Sequence, residues 1–279
     1  MAVTAGAVKA LRERTGLPMM DCKKALGETN GDEEAAVEWL RANGQKVAEK
    51  RADRETAFGR FGIYSGVAND AGAMVEFKCE SAPVTQHEEF IQLANDLAEA
   101  LAKNPEADGD AEKLLALDSP SQPGTTLASI KDDLFNRIRE VFNVGRMVRF
   151  DGPTVGYSHN SSTVAGVILS VEGGTDEAGR DISMHVAAMN PKALSTDDLD
   201  PAVVDAERKV LRDAALAEGK PENIVDKMVE GRMKNFYAEQ VLLEQTFVKA
   251  ENKESVGDYA KANGMTVKAF SHMILGEQS

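Results

Sequence analysis

Residues 1–50 carry apolar side chains at helical intervals in three short runs: Val8 and Leu11, then Met19, Cys22, Ala25 and Leu26, then Ala36, Val37, Trp39 and Leu40. Each run is bounded by helix-ending chemistry. Thr4 can cap the first helix and Gly16 can end it, Pro18 suits the first turn of the second, and Asn30-Gly31 breaks that one. Asp32 can cap the third, whose end is expected at Asn43-Gly44. The expectation is a small three-helix module with the layout of a ubiquitin-associated (UBA-like) domain, a fold that says nothing by itself about ubiquitin. Trp39, the only tryptophan, either packs this core or reads a ligand, and packing is the commoner role of such a residue. Residues 45–58 are rich in Lys, Arg, Glu and Ala and read as a solvated helical linker.

The period then shortens. From Met74 to Cys79, Val75, Phe77 and Cys79 fall on one side and Glu76 and Lys78 on the other, as in a strand with one buried face. Pro83 cannot donate to a sheet ladder and biases Ala82 away from helix, so the chain must turn a corner here. A helix follows from near Gln86, with Phe90, Leu93, Ala94, Leu97 and Leu101 on one stripe. The arrangement has an echo. Gly62-Ile63-Tyr64-Ser65 precedes the first strand, and Gly156-Tyr157-Ser158 precedes a second apolar run, Val164 to Glu172, with a helix expected from Asp181 to Met189. Two strand-strand-helix units predict an α+β fold whose core is duplicated, with antiparallel sheets; chance similarity of short strands is the competing reading.

Between the units, Lys103 to Thr126 is acidic and interrupted by Pro105, Gly109, Pro120, Pro123 and Gly124, which predicts a surface excursion with at most one short helix. Leu127, Ile130, Leu134, Ile138 and Val141 mark a helix expected to close at Asn143 and Gly145. Ala202–Glu218 and Pro221–Tyr237, joined at Gly219-Lys220, predict an antiparallel helical hairpin in which Val204, Val210 and Leu211 meet Ile224, Met228, Met233 and Phe236. Thr246-Phe247-Val248 is expected to be the closing strand, with one or two helices after Ser255. The resulting division is 1–50, 57–150, 151–201 with 238–279, and an inserted hairpin over 202–237.

Composition narrows the function. The 279 residues are 42% hydrophobic, enough for a sizeable core, and the formal charge is −14 with no dense Lys/Arg patch, which argues against direct binding of nucleic acid. Cys22 and Cys79 have neither redox nor metal spacing and read as reduced thiols of a cytoplasmic protein. The first twenty residues lack an apolar secretory core and no run approaches the roughly eighteen apolar residues of a membrane span, so no membrane association is expected. There is no phosphate-binding Gly-Lys-Ser/Thr loop, no nucleophile elbow and no paired His-Glu motif, while His87, His159, His185 and His272 sit in four separate segments. An enzyme would need Cys22 or Cys79 activated by a distant histidine, and Cys79 beside Phe77 reads as structural. Neither covalent chemistry nor a cofactor or metal is expected.

Three longer motifs point to a family. Leu11-Arg12-Glu13-Arg14-Thr15-Gly16-Leu17-Pro18-Met19-Met20-Asp21-Cys22-Lys23-Lys24-Ala25-Leu26, followed by Asn30-Gly31-Asp32, resembles the amino-terminal signature of the bacterial translation elongation factor Ts family. Met184-His185-Val186-Ala187-Ala188 and the stretch from Gly219-Lys220-Pro221 to Met228-Val229-Glu230-Gly231-Arg232-Met233-Lys234 resemble further family motifs in the same order. The resemblance covers nearly the full length.

It implies a guanine-nucleotide exchange factor that binds elongation factor Tu, a GTPase, and promotes GDP release by disturbing its magnesium and phosphate site. It also implies contact residues: Arg12, Met19, Met20 and Lys23 in the amino-terminal module, His185 and Phe270 in the core and carboxy-terminal part, and the corner Ser81, Ala82, Pro83 and Val84. His185 can equally be read as a packed helix residue. In the family the corner reads Thr-Asp-Phe-Val, and its acid and aromatic ring wedge into the GTPase; here Ala82 and Pro83 replace them. The alternative is therefore a non-exchanging, chaperone-like binding partner of the same GTPase. Homodimerisation stands as a further option beside this partner.

Overall fold

The computed structural model describes residues 3–51, 53–160, 163–219 and 221–277, and forms ten α-helices and six strands among them. It divides into two compact units, Met1–Tyr64 with Ala73–Arg149 and Leu275–Ser279, and Ser65–Gly72 with Phe150–Ile274.

The first unit begins with α1 (Ala5–Thr15), α2 (Met19–Glu28) and α3 (Glu33–Glu49). Local chemistry sets most of their ends. Thr4 Oγ1 accepts the Ala7 N–H, Gly16 takes the left-handed conformation at φ 69°, and Asp32 Oδ1 accepts the Ala35 N–H. Val8, Leu11, Leu17, Cys22, Ala25, Leu26, Ala36 and Leu40 form the core, with Trp39 packed at its margin under the Lys24 ammonium. The expected stop at Asn43-Gly44 is corrected: α3 runs on to Glu49. Gly44 is instead a contact point with α6 (Leu127–Ile138), since a Cβ there would lie 1.9 Å from Asn136 Oδ1.

The sheet of this unit has the order β1 (Phe58–Tyr64), β2 (Ala71–Cys79), β3 (Asn143–Asp151), and β1 pairs antiparallel with β2 from Phe58↔Cys79 to Tyr64↔Ala73. The one-face reading of β2 is therefore corrected. As the central strand it is covered on both sides, and Glu76, 4% exposed, is held by Arg146 of β3 at 2.7 Å. The expected helix end at Asn143 and Gly145 is corrected too, because α6 stops at Arg139 in the left-handed conformation and both residues open β3. Gly145 leaves the space that the Glu76 carboxylate occupies. The helix α4 (Glu88–Lys103) buries Phe90, Leu93, Ala94, Leu97 and Leu101 as its spacing requires. The 103–126 stretch contains one short α-helix, α5 (Ala111–Ala116), yet it is no mere surface excursion: Leu114 is fully buried, and the Ser119 and Ser121 hydroxyls donate to the buried Asp96 of α4.

In the second unit, β4 (Thr154–Asn160), β5 (Val164–Gly173) and β6 (Met265–Ile274) make an antiparallel sheet in that order. The helix α7 (Asp176–Met189), capped by Thr175 and longer than expected, packs Ala178, Ile182 and Val186 onto Val155, Val167 and Leu169. The closing strand is β6, after α10 (Val256–Ala262); the expected strand at Thr246–Val248 is a turn in which Phe247 plugs the core and stacks on Tyr259 at 4.1 Å. The hairpin is α8 (Pro201–Ala217) and α9 (Glu222–Gln240), with Ala215, Val225, Val229 and Met233 buried between them and Val204, Leu211 and Phe236 alongside. Val210 and Ile224 were expected in that seam and are 60% and 44% exposed, each one residue out of phase with the buried stripe, and Met228 is only partly buried. Lys220 at the expected tip lies outside the described residues.

Candidate partner-binding surfaces

Strand β2 ends at Cys79 and the chain turns into a single 3-10 turn, Ala82–Gln86, before α4. Pro83 sits in the first residues of that turn, where its missing N–H costs nothing. Of the four expected contact residues, Ala82 and Pro83 are exposed, Ser81 is half-buried and Val84 turns inward at 9% exposure. The turn has little freedom. The Thr85 hydroxyl donates to Ala82 O at 2.7 Å, Arg60 of β1 donates to Thr85 O at 3.1 Å, and the His87 N–H to Val84 O at 3.0 Å. Beneath it Phe77, Phe90 and Phe142 pack ring on ring, Phe77 and Phe90 with centroids 4.6 Å apart.

The corner is also tied to the α6–β3 connection. Ser81 donates its N–H to Glu140 Oε2 at 3.0 Å and its hydroxyl to Glu140 Oε1 at 2.5 Å, while the Val141 N–H donates to Glu80 Oε1 at 2.8 Å and Arg54 reaches Glu80 Oε2 at 2.9 Å. Burial works against the Glu80 charge, but the Val141 N–H and Arg54 together hold its carboxyl below the usual range. Cys79 donates its thiol to Ser81 O at 3.3 Å; burial, with Glu140 adding to it, pushes that thiol up to about 12, so it stays a neutral structural group. Glu140, Arg54 and Arg60 have no distinguishing mark in the sequence, because the bonds that recruit them span 59, 26 and 25 residues.

Arg12, Met19, Met20 and Lys23 are all exposed. Met19 (50%), Met20 (71%) and Lys23 open α2, and the neighbouring Asp21 turns the other way to pair with Arg139 after α6. An unbranched, adaptable apolar pair beside cations is chemistry suited to a protein surface.

His185 is placed differently from a contact residue. It is fully buried on α7, its Nδ1 accepts the Val248 N–H at 3.2 Å, and its Nε2 faces Gln245 Oε1 at 2.9 Å, so the neutral ring carries its proton on Nε2. Burial lowers its pKa below the ordinary 6.5, against the opposing effect of the hydrogen bond that Nε2 donates to Gln245. What reaches the surface is the turn that His185 holds: Val248 is 49% exposed. Phe270 is half-buried on β6, opposite Leu169. The amino-terminal face and the corner thus belong to the first unit, and His185 and Phe270 to the second.

Among the described residues no group of three His, Cys, Asp or Glu side chains could hold a metal ion, and no helix is long and apolar enough to cross a membrane. The family model described as Elongation factor TS matches residues 80–277, which begins at the corner and includes α7 and β6. The chain belongs to the elongation factor Ts family. It is 40% identical to Elongation factor Ts of Hyphomonas neptunium across 99% of this chain and 92% of that protein. It is 42% identical to that of Dinoroseobacter shibae, over 99% and 94% of the two chains, and 39% identical to that of Aquifex aeolicus, over 99% of each. This family member therefore aligns with its relatives from the first helices to the last strand.

Proposed function

We propose that the chain is a guanine-nucleotide exchange factor for elongation factor Tu in translation, without covalent chemistry of its own. The observation that carries this reading is the corner: Ala82 and Pro83 stand exposed on a frame of β2, α4 and α6–β3 inside the region that matches the family. On this reading residues 1–50 are a UBA-like docking module that presents Arg12, Met19, Met20 and Lys23. Residues 57–150 and 151–201 with 238–279 are the duplicated core, and 202–237 an inserted hairpin.

Exchange of this kind is a coupling between two equilibria. Whatever factor the protein takes from GDP affinity, GDP takes from the protein's own affinity, each tenfold corresponding to about 1.4 kcal/mol. Pressure at the magnesium and phosphate site is effective because those contacts supply much of the nucleotide's hold. In this scheme the buried His185 acts as a support for the exposed turn at Val248, and the half-buried Phe270 of β6 is a contact for the partner. A cytoplasmic location follows from the function.

One observation favours a second reading. Ala82 and Pro83 offer neither a carboxylate nor an aromatic ring, so the chain could hold the GTPase without accelerating exchange, as a chaperone-like partner. Stopped-flow release of fluorescent GDP from elongation factor Tu separates the two. The exchange reading expects release to accelerate with rising concentration of this protein; binding with an unaltered release rate supports the second.

A further inference from the structure

We infer that Glu140 is the positioning residue of the corner, a role that rests on the exchange reading above. The corner and the α6–β3 connection are joined by a reciprocal exchange of carboxylates. Glu140 accepts both the N–H and the hydroxyl of Ser81, at 3.0 and 2.5 Å, and Glu80 accepts the N–H of Val141 at 2.8 Å. Each segment lends a side-chain carboxylate to the other's backbone just beyond the sheet. Bonds of this kind are short and directional, because the acceptor is charged.

The bond to Ser81 falls immediately before the exposed pair. The direction of its N–H sets where Ala82 and Pro83 point, and Cys79 fixes the carbonyl of the same residue. The connection behind Glu140 is itself secured. Arg139 is in the left-handed conformation, its carbonyl accepts Arg51 Nη1 at 2.8 Å, and its guanidinium pairs with Asp21 of α2. Asp21 follows the exposed Met20 and stands two residues before the exposed Lys23 in α2. One short connection thus holds the corner through Glu140 and helix α2 through the preceding residue, Arg139.

A wedge acts only as far as its support resists. Without the Glu140 bonds the corner would stay exposed and could still dock, but it would order on the partner instead of displacing it. The loss belongs in the maximal release rate and not in the concentration needed to reach it.

The test is the stopped-flow release of fluorescent GDP from elongation factor Tu against concentration of the full chain, for the wild type, Glu140→Ala, Glu140→Gln, Ser81→Ala and Ser81→Ala with Glu140→Ala. Glu140→Ala should lower the maximal rate about tenfold while the half-saturating concentration stays within about twofold. Glu140→Gln, still able to accept the Ser81 N–H, should recover part of the rate, and the double variant should be no slower than Glu140→Ala because both changes break the same contact. Should Glu140→Ala melt below the assay temperature, Ser81→Ala and Glu140→Gln carry the comparison. A wild type that accelerates release, with variants reaching the same maximal rate or losing rate only through half-saturation, overturns this role alone. A wild type that leaves release unaltered overturns the exchange reading and this role with it.

Discussion

His185 and Val248 lie 63 residues apart and are joined by a hydrogen bond in which the Val248 N–H donates to the ring's Nδ1 at 3.2 Å. With Nε2 turned to Gln245, both nitrogens are committed to the neutral ring, and burial lowers the pKa below its ordinary 6.5. The folded protein therefore binds fewer protons here than the unfolded chain does at mildly acid pH. Stability from this group is complete above the unfolded value and is lost as pH falls from about 6.5 toward the folded pKa. Urea unfolding at stepped pH should show a fall below pH 6.5 that is smaller in His185→Gln, and His185→Ala should cost about 3 kcal/mol at pH 7. Equal pH slopes for wild type and His185→Gln would mean that the ring does not titrate on unfolding.

Glu76 and Arg146 make a second test of the core. The carboxylate is almost wholly enclosed and is met by Arg146 through its guanidinium at 2.7 Å and its backbone N–H at 3.2 Å. Removing the acid alone takes a buried acceptor away from the Arg146 guanidinium and backbone N–H. Glu76→Ala should destabilise by about 3 kcal/mol, read as a lower urea midpoint with an unchanged slope.

Gly44 offers a test by rescue. In an exposed helix interior Gly→Ala stabilises by about 1 kcal/mol, but here the added methyl would meet Asn136 Oδ1 at 1.9 Å. Gly44→Ala should lower the melting midpoint, and adding Asn136→Ala should recover part of the loss. A stabilised single variant would place α3 and α6 further apart than described.

These residues mark the limit of what the sequence discloses. Thr4, Gly16, Asp32 and the two strand pairs were legible because caps, turns and alternation are local chemistry. Gly44, by the same local rule, looks like a helix end, and only Asn136 across the helix pair explains why it is not. Asn143 and Gly145 likewise look like a stop until Glu76 is found lying over Gly145. The corner could be placed from Pro83 and the strand before it. Its support by Glu140 could not, and neither could the burial of His185, because Val248 comes from a turn that the sequence presents as a strand and Gln245 lies 60 residues away.

Met19 and Met20 should matter to docking and not to folding. Both are exposed on the opening turn of α2 while Cys22, Ala25 and Leu26 fill the core behind them. Replacing both by Glu should leave the melting midpoint within a degree or two and weaken complex formation with elongation factor Tu roughly tenfold or more, measured by calorimetry. Unchanged affinity would remove this face from the interface. The substitution is a cleaner probe than deleting residues 1–50, since deletion would also strip α3 from α6 and Asp21 from Arg139.

The corner itself yields the last prediction. Ala82 and Pro83 project from a turn fixed by Thr85, Arg60 and Glu140, so side chains placed there inherit a set direction at little cost in order. Pro83 supplies stiffness with its locked φ but little area, and Ala82 supplies no charge. Exchange should therefore be measurable yet slower than in a relative with the full Thr-Asp-Phe-Val corner. Ala82→Asp with Pro83→Phe restores the acid and the ring on the same frame. Because buried aromatic anchors at an interface centre are worth about 2 kcal/mol or more, the double variant should speed GDP release by at least roughly tenfold at saturation. Pro83→Phe also frees one φ angle, so the change should be made in a chain that keeps Glu140 and Ser81. If the wild type already exchanges rapidly and the double variant leaves the rate unaltered, pressure on the nucleotide site comes from another surface, with the turn at Val248 that His185 holds as the first to alter.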